Sequence, residues 1–134
     1  MEQFNRLVQE AMDLLDTIYM ATDAGVLYLK ERKIDEFQHM VTKREKLLSR
    51  FRQIQERVNQ DYAAGLKGQE IAEINKKIKS KIQIIAKVDR EAIDIINCIK
   101  KDLLNKMKQG TSGKMFLRQY REQVNHRKII QRTI

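Results

Sequence analysis

Residue types that carry catalytic chemistry are few in this chain, and their spacing matches no known catalytic pattern. The two histidines, His39 and His126, lie far apart, and neither belongs to an HExxH metal-binding pattern. The stretch GTSGK at residues 110–114 has the composition of a phosphate-binding loop, but it lacks the GxxxxGK[ST] spacing and a preceding strand. Because catalysis needs matched groups held close together, we predict no enzyme activity, no cofactor and no bound metal.

The cysteine and the carboxylates of the chain also favour a non-catalytic interpretation. Cys98 is the single cysteine, so it can form no internal disulfide, and we predict a small buried or half-buried residue on a helix. Four carboxylates near the amino terminus have the spacing of a solvated helix face and form no Glu-x-x-His pair of the kind found in di-iron proteins; they are Glu10, Asp13, Asp16 and Asp23.

Composition indicates one folded, water-soluble domain over residues 1–134. Hydrophobic residues make up 42% of the chain, which is too many for a disordered segment, and charged residues make up 34%, which is too many for a membrane protein. No apolar run approaches the roughly 18 residues that a bilayer span needs, and the first ten residues do not resemble a signal peptide. We therefore expect a cytoplasmic protein.

The elements expected to carry any binding residues are helices. The chain has no proline and five glycines, and its apolar residues recur three and four positions apart, which predicts helices and no sheet. The predicted helices cover residues 3–32, 35–62, 69–109 and 115–132, with Asp35 and Gln38 resembling a capping pair. These features predict an all-α antiparallel bundle, with a three-helix core at 1–109 and a shorter, basic, amphipathic C-terminal helix within 110–134 that can leave the core.

The third predicted helix is longer than its neighbours, so its far end needs a cover. At about 1.5 Å per residue it would reach roughly 60 Å, against roughly 42–45 Å for the first two. The fourth helix, a second copy of the chain in a homodimer, or a partner protein could cover that end. The predicted partner-binding residues are Ile96, Ile99, Leu103, Met107, Met115, Phe116, Leu117, Tyr120 and Val124.

The net positive charge of the chain is compatible with a second class of partner, one with an acidic surface. The net charge is +9, and residues 110–134 contain six basic side chains and one acidic one. A basic helical adaptor that binds nucleic acid or another acidic surface is therefore an alternative, and so is an amphipathic C-terminal segment on a membrane surface. The lysines at 76, 77, 79 and 81 alternate with an isoleucine stripe as on an ordinary solvated helix, and no helix-turn-helix or zinc-finger layout is present.

Three stretches carry a family resemblance: REKLL at residues 44–48, VDREAI at 88–93, and KMKQGTSGKMFLRQY at 106–120. With the order and length of the predicted helices, they make the chain resemble the small helical export chaperones of the flagellar type III secretion system. The FliT-like chaperones of the filament cap are the nearest type, and the FlgN-like chaperones of hook-associated proteins are the next.

This resemblance implies a cytoplasmic chaperone that keeps a filament-cap or hook-associated protein soluble and delivers it to the export gate and the export ATPase. It also implies that Tyr120 contacts the export gate, and that the third and fourth helices bind the client's carboxyl-terminal helix. The basic tail continues beyond Tyr120 to Ile134, which leaves the choice between the two chaperone types open. A purely structural coiled-coil oligomer is a further alternative.

Overall fold

Three long helices make up nearly all of the part of the chain that the structure describes. The computed structural model describes residues 2–61, 68–106, 118, 121 and 122. The helices are α1 (Glu2–Lys30), α2 (Ile34–Asp61) and α3 (Gly68–Lys106), and these described residues contain no strand. The predicted all-α class is thus confirmed over this part of the chain, whereas the predicted fourth helix falls almost wholly outside the described residues. None of the three helices combines the length and the hydropathy that a membrane span requires.

Helices α1 and α2 run in opposite directions. Near one end of the pair Arg50 of α2 hydrogen-bonds to Glu10 of α1. Near the other end Gly25 of α1 lies against Met40 of α2. The absence of a side chain on Gly25 allows this approach, because a Cβ atom there would overlap Met40 Cε. Because Met40 Cε ends a flexible side chain, a side chain at position 25 would require Met40 to move, against a gain of about 1 kcal/mol for alanine over glycine in a helix.

Helix α3 returns alongside α1 and runs in the same direction. Lys81 of α3 pairs with Asp16 of α1, and further along both helices Glu91 pairs with Lys30. Helix α1 packs against both of its partners, and the backbones of α2 and α3 approach each other less closely. Side chains from α2 and α3 that meet must therefore be long enough to cross a wider space.

The turn between α1 and α2 closes with a left-handed residue. The Lys33 N–H donates to the Tyr28 carbonyl at 2.8 Å, and the Arg32 N–H donates to the Leu29 carbonyl at 3.1 Å. This is the Schellman pattern of a helix carboxyl terminus, and it places Arg32 at the position usually held by glycine. Arg32 has a φ of 61°, in the region where a side chain costs roughly 1–2 kcal/mol.

The start of α2 differs from the predicted capping pair. The helix begins at Ile34, and the Phe37 N–H donates to the Lys33 carbonyl at 3.1 Å, so Lys33 is the capping residue. Asp35 lies inside the first turn, where its carboxylate still interacts favourably with the helix dipole. A hydrogen bond from the Lys33 side chain to Glu31, together with the charge of Glu31, raises the pKa of Lys33.

The core has two apolar clusters, one at each end of the α1–α2 pair. The amino-terminal cluster consists of Leu7, Ala11, Met12, Leu15, Ile18, Leu48, Phe51, Ile54, Ile78, Ile82 and Ile85. The turn cluster consists of Val26, Leu29, Phe37, Met40, Val41, Ala92 and Ile96. Every helix contributes to both clusters, and burying one large side chain of this kind stabilises the fold by roughly 1.5–3 kcal/mol.

A buried polar layer separates the two clusters. It contains one residue from each helix, and all three are fully buried: Thr22, Arg44 and Asp89. The Thr22 hydroxyl donates to the Ile18 carbonyl at 2.7 Å. Arg44 donates to both carboxylate oxygens of Asp89, at 2.6 and 2.9 Å. The long arginine side chain thus bridges the wider space between α2 and α3.

Candidate protein-binding surface

Helix α3 continues past the turn that joins α1 and α2. Asp102 of α3 pairs with Arg32 of that turn at 2.9 Å, so the residues beyond Asp102 lie past the end of the α1–α2 pair. Leu103 and Leu104 are 44% and 49% exposed. We call residues 103–105 the open end of α3. Two adjacent exposed leucines make this part of the surface a candidate for contact with another polypeptide.

The open end continues the core stripe of α3. Ala92, Ile96, Ile99 and Leu103 follow one another at spacings of four and three, which keeps them on one side of the helix. Ala92 and Ile96 are buried, Ile99 is half-buried and Leu103 is exposed. The apolar stripe therefore extends farther along α3 than the helices that cover it.

A groove of about 210 Å³ lies beside the open end. It is lined by Leu29, Lys30, Arg32, Asp94, Ile95 and Cys98. Cys98 is exposed, which contradicts the prediction of a buried or half-buried residue. Cys98 lies on α3 beyond Ile96, the last buried residue of the described part of that helix, where less of α1 and α2 remains to cover it.

Two exposed ion pairs border this groove. Lys30 pairs with Glu91 at 3.2 Å, and Arg32 pairs with Asp102 at 2.9 Å. About half of each of these side chains is exposed, and such pairs contribute only about 0–1 kcal/mol. Both pairs can therefore exchange partners at low cost when a charged ligand approaches the groove.

The predicted partner-binding residues divide into three groups. Ile96 belongs to the turn cluster and is 2% exposed, so it supports the fold and is not on the surface. Ile99 and Leu103 lie at the boundary of the core and at the open end, respectively. The remaining residues lie outside the described part of the chain: Met107, Met115, Phe116, Leu117, Tyr120 and Val124.

Sequence reasoning missed several surface residues. Leu104 lies off the i, i+3, i+4 stripe of α3, so apolar periodicity does not indicate it. Three other exposed apolar residues are Met20 and Leu27 on α1 and Ile84 on α3. A signal was available, since an apolar residue off the core stripe of an otherwise charged helix is a candidate for contact with a partner.

The described charged residues mostly lie on solvated faces. Lys76, Lys77 and Lys79 are exposed on α3, as their alternation with isoleucines predicted, while Lys81 is half-buried beside Asp16. His39 is exposed on α2, and His126 lies outside the described residues. Within the ranges that the structure describes, His, Cys, Asp and Glu side chains form no group of three or more that could hold a metal ion.

Comparison with known proteins gives no relative for this chain. No protein-family model, no curated protein and no solved structure matches it. The surface described above is therefore interpreted from its own geometry and chemistry.

Proposed function

We propose that this chain is a cytoplasmic export chaperone that binds a flagellar axial protein, either a filament cap or a hook-associated protein. In this proposal the three long helices form an antiparallel bundle, and the C-terminal segment adds a shorter fourth helix. The client helix binds at the open end of α3, and the chaperone then delivers it to the export gate and the export ATPase. The chain works by binding and catalyses no reaction.

The observation that supports a binding role most directly is the uncovered part of the α3 stripe. Leu103 and Leu104 are each close to half exposed at the end of a helix whose preceding stripe is buried. Exposed apolar surface costs free energy in water, at about 25 cal/mol per Å², so a partner that covers it gains affinity. An amphipathic helix is a suitable ligand, since its apolar side can extend the existing helix packing.

The structure changes which residues support the family resemblance. Arg44 of the REKLL stretch and Asp89 of the VDREAI stretch meet in the buried polar layer. Helix packing therefore explains the presence of Arg44 and Asp89. Because many helical proteins need such packing, these two residues do not by themselves indicate an export chaperone. The functional part of the resemblance consequently depends on the open end of α3 and on Tyr120, the proposed contact with the export gate.

A binding titration with candidate clients tests this proposal. Purified chain is titrated with filament-cap and hook-associated proteins by isothermal calorimetry, and we expect one of them to bind with 1:1 stoichiometry. Leu103→Glu together with Leu104→Glu should weaken that binding at least tenfold, because charged groups would be buried at the contact. Ile84→Glu is the matched control, since Ile84 is also an exposed apolar residue of α3 but lies away from the open end.

The same experiment defines what would refute the proposal. Absence of binding to every filament-cap and hook-associated protein would remove the chaperone function. Equal weakening by Ile84→Glu and by the double variant would place the client elsewhere on α3. Sedimentation of the unliganded chain separates a monomer from the alternative of a tight homodimer that covers the open end by itself.

Nucleic acid is the second candidate partner, and the exposed lysines at 76, 77 and 79 favour it. If these side chains contact phosphates, the logarithm of the binding constant should fall linearly with the logarithm of salt concentration. Replacing Lys76 and Lys79 by Glu should then reduce both the affinity and the salt slope. A gel shift that shows no binding at about 50 mM salt would eliminate this alternative.

A further inference from the structure

The outer face of α1 combines exposed apolar side chains with carboxylates. Met20 and Leu27 are 69% and 54% exposed. Asp23 lies between them at spacings of three and four, which places all three on one side of the helix, and it forms no ion pair within the described residues. Asp16 and Glu31 extend the same side by one turn in each direction. We call these five residues the acidic α1 face.

The ends of this face have weak internal partners. Asp16 pairs with Lys81 while its side chain remains 57% exposed. Glu31 pairs with its near neighbour Lys33, and both side chains are about half exposed. A chain with a net charge of +9 thus carries a localised acidic strip around two large apolar side chains. A ligand suited to this strip has two apolar residues with a basic residue between them.

The C-terminal segment has this pattern in the opposite direction. Leu117, Arg121 and Val124 are separated by four and three residues, and so are Leu27, Asp23 and Met20 when α1 is read backward. One further step of four leads to Lys128 in the segment and to Asp16 in α1. Before Leu117, the spacing of three places Lys114 opposite Lys30, which already pairs with Glu91 and is followed by Glu31. Two helices packed antiparallel would therefore place Leu117 and Val124 against apolar residues. Arg121 and Lys128 would lie against acidic ones.

We propose that residues 114–128 bind as an antiparallel helix to the acidic α1 face of the same chain. Leu117 packs against Leu27, Arg121 pairs with Asp23, and Val124 packs against Met20. Arg118, Arg121 and Glu122, which are the described residues of this segment, have helical backbone and exposed side chains. An exposed Arg121 guanidinium is available to a carboxylate.

The connection between α3 and this segment is long enough for binding within one molecule. Helix α3 ends at Lys106, about one turn beyond Asp102, which pairs with Arg32 next to Glu31. The eight residue steps from Lys106 to Lys114 span up to roughly 26 Å when extended. This exceeds the single helix turn that separates Lys106 from Asp102, the residue paired with Arg32 of the α1–α2 turn. A tether of this length gives an effective concentration of about a millimolar, which favours binding in the same molecule over binding to a second copy.

This contact is separate from the proposed client site. It covers the outer face of α1 and leaves Leu103 and Leu104 at the open end of α3 exposed. In a helix with Leu117 and Val124 against α1, Phe116 and Tyr120 fall on a neighbouring side. Two of the residues predicted to bind a partner are thus assigned to an internal contact. This assignment holds whether or not the client is a flagellar protein.

Disulfide trapping in the full-length chain tests the proposed contact. In a Cys98→Ser background, Leu27→Cys is combined with Leu117→Cys, and the rate of oxidation is followed by electrophoresis under non-reducing conditions. We expect a cross-linked monomer to form readily. The matched control combines Leu104→Cys with Leu117→Cys and should cross-link at least threefold more slowly, because Leu104 lies at the open end of α3.

Charge reversal tests the pairing within the contact. Asp23→Arg in the 27–117 cysteine pair should slow cross-linking by roughly threefold or more, since an exposed ion pair is replaced by repulsion. Adding Arg121→Asp should restore the rate. Glu56→Arg, which makes the same charge change at an exposed position of α2, should have little effect.

Three outcomes would overturn the proposal. They are the absence of a 27–117 cross-link, faster cross-linking of the 104–117 pair, and a disulfide-linked dimer as the main product of the 27–117 pair. A dimer would assign the acidic α1 face to a second copy of the chain. Circular dichroism of each variant confirms that the helices are intact before the rates are compared.

Discussion

Arg44 of α2 and Asp89 of α3 form a two-bonded ion pair in which neither side chain has any exposed surface. The pair spans the two helices whose backbones approach each other least closely. Removing either charge would leave the other buried inside the protein, at a cost of several kcal/mol. The stability of the chain therefore depends on keeping both partners of this contact.

Variants of this pair should show strong coupling. Asp89→Leu should lower the free energy of unfolding by about 3–5 kcal/mol, because it leaves the Arg44 charge buried. Arg44→Met with Asp89→Leu should recover most of that loss and can equal the natural chain. Urea denaturation followed by circular dichroism measures all three proteins. Equal destabilisation by the single and double variants would show that the ion pair itself adds net stability.

Comparing two variants of Arg32 tests backbone strain separately from the Arg32–Asp102 ion pair, which both variants lack. Arg32→Gly and Arg32→Ala both remove the contact with Asp102, but only glycine adopts a φ of 61° without a Cβ penalty. The glycine variant should therefore be more stable than the alanine variant by roughly 1 kcal/mol. Thermal unfolding of the two proteins gives the difference directly. Equal stability would indicate that the Schellman turn is not retained in the variants.

Gly25 and Met40 should be coupled because they approach closely. In the natural background Gly25→Ala gains helix propensity of about 1 kcal/mol but forces the Met40 side chain to move. In a Met40→Ala background the obstruction is gone, and Gly25→Ala should stabilise the chain by close to the full amount. A double-mutant cycle in urea measures this coupling, and strict additivity would mean that the two residues do not touch in solution.

Two residues of the α3 stripe, Ile96 and Leu103, should respond very differently to truncation. Ile96→Ala removes a core side chain and should cost about 2–5 kcal/mol. Leu103→Ala removes a 44% exposed side chain and should cost well under 1 kcal/mol. Urea midpoints of the two variants provide the comparison. A large loss at Leu103 would mean that something covers the open end in the unliganded protein.

The sequence predicted the helices because long amphipathic stripes dominate local structure. The predicted range 35–62 for the second helix differs from Ile34–Asp61 by a single residue at each end. The first helix ends at Lys30 where 32 was predicted, because the left-handed conformation of Arg32 terminates it without a glycine. Such a terminus has no clear sequence signal, since the usual indicator is glycine itself.

The binding surface was predictable only in part. Spacing placed Ile96, Ile99 and Leu103 on one side of α3, but it could not show where α1 and α2 stop covering that side. That point depends on the alignment of three helices, which the long-range packing of the two core clusters sets. The burial of Arg44 was equally hidden, since arginine within a charged helix is normally solvated and its carboxylate partner is 45 positions away.

The division of the core by the polar layer has a consequence for the order of folding. In the turn cluster, Val26, Leu29, Phe37 and Met40 come from a short stretch of chain, so closing that loop costs little entropy. The α1 and α2 members of the amino-terminal cluster are farther apart along the chain, from Ile18 and Leu48 to Leu7 and Ile54. Chain collapse should therefore begin at the α1–α2 hairpin, with high φ-values there and low ones near the amino terminus.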